Sequence, residues 1–192
     1  MNMPIRKRIA RKLAGKKGAS LAETMIAMVI MLLALAIVLS GIRLAQKQYH
    51  RSVILSEEKV LASSLTNIIQ SELANAHTVT IAGEDLVSFI PRTYGLEESE
   101  CRFIAVNVAD DHSISKSSNG FGELLLGTES NTGKITGHLL LSSASYSTYK
   151  LKANVQVKYI DDAFHVILTI TDPTGESSKT EFDVLPLNDF SI

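Results

Sequence analysis

The sequence is poor in the residues that build most reactive centres. It holds one cysteine, Cys101, in 192 residues, so no intramolecular disulfide, thiolate metal cluster or redox pair can be made from one chain. Set in the apolar stretch CRFIAVNV, Cys101 reads as a small buried hydrophobe rather than a reactive thiol. There is no Gly-x-Ser-x-Gly elbow, and Gly120, Gly122 and Gly127 match neither a phosphate-binding loop nor a dinucleotide fingerprint. Asp110-Asp111-His112 could contribute to a metal site, but adjacent residues rarely converge on one ion and no second cluster has ligand spacing. His138 and His165 fall on candidate strands, where surface or satisfied histidines are commoner than ligands. No enzyme, cofactor or metal is expected.

Other absences shape the fold. No proline occurs between Pro4 and Pro91, so nothing in that stretch forbids a long helix. Residues 1–18 contain no acid, and residues 25–39, MIAMVIMLLALAIVL, contain no charge.

What is present is unevenly placed. Arg6, Lys7, Arg8, Arg11, Lys12, Lys16 and Lys17 all precede the apolar run, and removing them leaves 12 basic against 20 acidic groups, a net charge of −8 behind an overall −1. Such asymmetry sets the amino-terminal segment apart. From Ala19 to Ile42 the only charge is Glu23. Those 24 residues would rise about 36 Å as a helix, enough for a hydrocarbon core of about 30 Å. The basic cluster before them places the amino terminus in the cytoplasm and the chain after Arg43 outside.

Glu23 separates the possible fates of this segment. A cleaved secretory signal needs a small-residue site after the apolar region, yet Ala34-Leu35-Ala36 lies inside it. An uncleaved anchor needs only the charges and the length, and would leave Glu23 as an interfacial residue favoured by the helix dipole. A cut between Gly18 and Ala19 would instead put a new α-ammonium four residues from Glu23. Pairing of that amine, or a neighbour's, with the carboxylate would offset the cost of a charge in the apolar span and fix the offset between adjacent helices.

Lys16-Lys17-Gly18, then Ala19-Ser20-Leu21-Ala22-Glu23, then the apolar run resembles the class III signal of type IV prepilins and pseudopilins. The likeness covers roughly residues 6–42. It implies that a membrane-embedded prepilin peptidase cuts after Gly18 on the cytoplasmic side, that residues 1–18 are a leader, and that Glu23 is the assembly carboxylate. In that family the first mature residue is usually an amine-methylated Phe or Met and the fourth commonly Ile, Leu or Val. Ala19 departs from the first of these, so the resemblance does not carry methylation over to it, and Ala22 departs from the second, which points to a minor pilin or pseudopilin.

Beyond Arg43 the sequence stays helical but becomes amphipathic. Leu61, Leu65 and Ile68, with Ile54, Val60, Ile69 and Leu73, keep three-and-four spacing, whereas Glu57, Glu58, Lys59, Gln70 and Glu72 are polar. One helix is expected from about Ser20 to about Ala76, divided functionally into residues 19–42 and 43–76, with a bend favoured at Gly41. Residues 77–192 read as a β-rich head. Its expected strands are Thr78–Ala82, Leu86–Ile90, Arg102–Val108, Glu123–Leu126 and Lys134–Leu141, followed by an alternating strand through Leu151 and Tyr159. A turn at Asp161-Asp162 leads to a partner through Phe164 and Ile170, and a turn at 172–175 leads to Thr180–Val184. The stretch 110–133 reads as exposed loops around one short strand. The expected class is therefore α+β: a long amino-terminal helix, membrane-spanning in its first half, laid on an antiparallel sheet.

The resemblance implies a structural subunit assembled into a pilus or pseudopilus. Its partners would be other pilin subunits, the prepilin peptidase, a platform membrane protein and, indirectly, an assembly ATPase. The chain would wait as a single-pass protein of the cytoplasmic membrane and end in an extracellular filament. A second expectation is an uncleaved, membrane-anchored extracellular binding module. Lys150, Lys152 and Lys158 are expected on one strand face and could form a basic strip for DNA, but with the processed chain near −8 such attraction would be strictly local.

Overall fold

The structure, a computed structural model, describes residues 20–91, 100–109, 113–130 and 132–187. Helix α1 occupies Leu21–Ala74, without the proline that would end it. It continues without a break through Gly41. The chain divides into two compact units between Arg51 and Ser52, inside α1.

In the first unit, every described residue from Ser20 to Arg51 is exposed. The apolar side chains point in all directions around α1, with Leu21 81%, Met31 75% and Ile37 72% accessible. Water is a poor solvent for such a surface, and its length and composition suit a membrane span.

Among the described residues, the second unit begins with the rest of α1 and continues through nine strands and a short helix. These are β1 (Val79–Ala82), β2 (Asp85–Phe89), β3 (Arg102–Val108), β4 (Ile114–Lys116), β5 (Glu123–Glu129), β6 (Ile135–Leu139), α2 (Ser143–Ser147), β7 (Lys152–Ile160), β8 (Ala163–Thr171) and β9 (Ser177–Val184). They form two antiparallel sheets, β1-β2-β7-β8-β9 and β4-β3-β5-β6. Isolated bridges at Phe89↔Cys101 and Gly122↔Ala153 stitch the two together.

The carboxy-terminal part of α1 covers the sheets through Leu61, Leu65, Ile69 and Leu73, all buried. At roughly 1.5–3 kcal/mol for each buried aliphatic side chain, this stripe contributes about 6–12 kcal/mol as an upper bound. It packs in one cluster with Phe89, Tyr146, Phe164, Val166, Leu168 and Ile170. A smaller cluster of Ile104, Val106 and Leu125 is separate from it. The far end of α1 is tied down by the Leu187 N–H, which donates to the Ala74 carbonyl at 2.8 Å and so satisfies one of the helix's terminal acceptors.

The β7–β8 hairpin keeps its register from Lys152↔Thr171 to Ile160↔Ala163. Asp161 and Asp162 both take positive φ, at 51° and 62°, the turn whose twist suits a two-residue hairpin. The next turn is organised by Asp172, whose carboxylate accepts from the N–H groups of Thr174 at 2.8 Å and Glu176 at 2.9 Å.

Several expectations need correction. Glu58 and Glu72, assigned to the wet face of the helix, are buried, 6% and 3% exposed, while Val60, assigned to the apolar side, is 59% exposed. The stretch taken for loops around one short strand holds β4 and all of β5, and β5 is an interior strand of the second sheet. Its Leu124–Leu126 core lies in the expected strand Glu123–Leu126, which the structure extends to Glu129. Lys150 lies not on a strand but in the turn before β7, at φ 53°, and this breaks the expected three-lysine strip.

Candidate functional site

The feature that points most directly to function is the start of α1. Ser20 caps the helix: its carbonyl accepts from the N–H groups of Glu23 at 2.9 Å and Thr24 at 3.1 Å, and its Oγ accepts from the Glu23 N–H at 3.3 Å. Ser20-Leu21-Ala22-Glu23 also has the Ser-x-x-Glu spacing of a capping box, a helix-start signal legible in the sequence. Glu23 stands in the first turn, where the helix dipole favours a negative charge, and it is exposed. Gly18, Ala19, Lys16 and Lys17 lie outside the described residues, as does Asp110-Asp111-His112. Gly41 sits in open surroundings, where an added Cβ would meet nothing within 4 Å. Beside it the Ser40 hydroxyl donates to the Ile37 carbonyl at 2.7 Å, which keeps its polar group satisfied inside the apolar stretch.

Between Glu23 and Arg43 lie 19 uncharged residues, about 29 Å of helix, close to the thickness of a hydrocarbon core. The ionisable groups therefore sit at the two ends of the apolar stretch and not within it. No family model, curated protein or solved structure matches the chain.

The head offers shallower features. Two adjoining clefts of 210 and 260 Å³ share Arg102, Phe103 and Val155. At their rim Glu129 accepts from Lys116 at 2.8 Å and also pairs with Arg102. The Lys116 hydrogen bond is the largest of the causes holding the Glu129 carboxyl below its ordinary value. Within the first sheet the ladder between β2 and β7 is confined to Asp85↔Lys158.

Among the described residues no group of three or more His, Cys, Asp or Glu side chains is placed to hold a metal ion. His165 Nδ1 lies 2.6 Å from Asp183 Oδ1 across β8 and β9, and His138 is exposed on β6. Cys101 is fully buried and its thiol is pushed up, first by burial and then by the nearby Glu72 charge. A raised thiol is a poor nucleophile. Burial likewise pushes the Tyr146 phenol well above its ordinary value, and its oxygen accepts from the Leu124 N–H at 3.3 Å. Lys158 pairs with Glu84 at 3.3 Å, which leaves Lys152 as the remaining member of the expected basic strip on β7.

Proposed function

We propose that this chain is a structural subunit, a minor type IV pilin or pseudopilin, inserted through its amino-terminal helix first into the cytoplasmic membrane and then into an extracellular filament. The observation that carries the reading is the fully exposed, all-round apolar stretch of α1 headed by Glu23. A surface of that kind must be covered by lipid or by other helices, and a carboxylate at its start favours a specific partner over lipid alone. Gly18, two residues before the Ser20 cap, supplies the cleavage position that the resemblance implies, with Lys16 and Lys17 before it. Cleavage there would leave the Ala19 amine close to the Glu23 carboxylate. The partners follow from the same reading: other pilin subunits, the prepilin peptidase and a platform protein.

Co-expression with a prepilin peptidase tests it. Intact mass is expected to show loss of residues 1–18, Gly18→Ala to block the loss, and Glu23→Ala to leave cleavage intact while excluding the subunit from filaments. An unchanged mass in the presence of an active peptidase supports the uncleaved anchored module instead.

A further inference from the structure

Just past the apolar stretch, α1 carries a second patterned segment that the assembly reading leaves unused. Arg43 and Lys47 are four residues apart, and Arg51 follows at the same spacing, which places the three on one face of the helix. Ile42, Ala45 and Tyr49 fall on the opposite face, and all of these residues are exposed. Tyr49 is 69% accessible, with its ring edge-on to His50 at 6.2 Å between centroids. No acid occurs between Glu23 and Glu57, so the segment presents positive charge without a carboxylate of its own.

Position gives this pattern meaning. With Glu23 at one end of the 19-residue uncharged stretch, Arg43 falls at the other boundary of the hydrocarbon, and Lys47 lies about 6 Å further along the axis. That is the depth of lipid phosphates, and Tyr49 is the residue type that settles in the same layer. We infer that the Arg43/Lys47 face of α1 is a binding surface for the phosphate groups of anionic phospholipids in the leaflet at the carboxy-terminal end of the span. Charge complementarity selects anionic over zwitterionic headgroups. In the membrane before assembly, such contacts hold the helix at one depth. The inference rests on the membrane reading of α1 and extends it to a lipid class.

The chain has no tryptophan, so Leu44→Trp introduces a single indole at an exposed position between Arg43 and Lys47, three residues from the latter and beside the surface in question. The full-length Leu44→Trp chain is reconstituted into phosphatidylcholine vesicles doped, in separate samples, with equal fractions of brominated phosphatidylglycerol or brominated phosphatidylcholine. The expected result is stronger quenching by the brominated phosphatidylglycerol, equivalent to a local enrichment of about tenfold or more, given roughly fivefold per cation. The preference is expected to shrink in high salt and to vanish when Arg43→Gln and Lys47→Gln are added. Equal quenching by the two lipids, or a preference that survives the double substitution, overturns the inference. So does loss of the preference on adding soluble glycerol phosphate, which would assign the surface to a free phosphate ester. Extraction of the chain from vesicles by alkaline carbonate, with no quenching by either lipid, overturns the membrane reading itself and is distinct from the other outcomes.

Discussion

Glu58 is where the structure departs most sharply from an amphipathic helix, and it makes a prediction of unusual sign. Its side chain is buried, at 6% residue exposure, and Oε1 has no hydrogen-bond partner among the described residues. Leaving a polar atom in such surroundings costs about 1–3 kcal/mol in proteins, and replacing buried charge by an apolar side chain of similar volume often stabilises by about 1–4 kcal/mol. Methionine fits the shape and is a comparable helix former. Glu58→Met is therefore expected to stabilise the head by about 1–3 kcal/mol, a rise in melting temperature of roughly 2–12 °C at about 2–4 °C per kcal/mol for a chain of this size. Glu57, one residue earlier and exposed, supplies the control, since Glu57→Met should change stability by less than about 0.5 kcal/mol. Urea unfolding of the detergent-solubilised chains, followed by far-ultraviolet circular dichroism, compares the two. If Glu58→Met lowers stability by more than about 1 kcal/mol while Glu57→Met leaves it unchanged, the carboxylate makes a favourable interaction and the reasoning fails.

Two further outcomes follow from the sheets. Gly127 and Gly137 face each other across β5 and β6, and a Cβ on Gly127 would lie 2.1 Å from the Thr136 carbonyl oxygen. Gly127→Ala should therefore destabilise the head by about 1–3 kcal/mol or more, read as a lower urea midpoint; an unchanged midpoint would show that the strands can separate freely. The carboxyl groups of Glu129 and Asp172 are held below their ordinary values of 4.5 and 3.8, chiefly by hydrogen bonds from Lys116 and Thr174 respectively. Groups with lowered folded-state values stabilise the fold above their unfolded values and lose that contribution as pH falls through the folded ones. The head's urea midpoint should accordingly be flat near neutrality and drop from about pH 4.5 downward, and Asp172→Asn should lessen the drop.

Local patterns carried most of the element list. The alternation through Val155 and Val157 and through Phe164, Val166 and Leu168 fixed β7 and β8, because a strand with one buried face repeats every two residues. The missing prolines and the four-residue spacing of Leu61, Leu65, Ile69 and Leu73 fixed α1 in the same way. The uncharged run, its basic flank and Glu23 were equally plain, since charge and hydropathy are properties of composition. Pairing over distance was not legible. Nothing local says that β2 lies beside β7, some 70 residues later, or that β3 and β5 belong to a second sheet, because backbone hydrogen bonds carry no address for their partner. The burial of Glu58 and Glu72 belongs to the same class. Both stand seven residues from Leu65, which puts them along the covered side of α1, and only the sheets laid over that side decide how wide the covered stripe is. The sequence alone thus determined the apolar stretch, the helix and the alternating strands, where composition and short-range periodicity suffice. Tertiary structure decided the two-sheet arrangement, the cleft beside Arg102 and the burial of two carboxylates, because each depends on which distant surfaces meet.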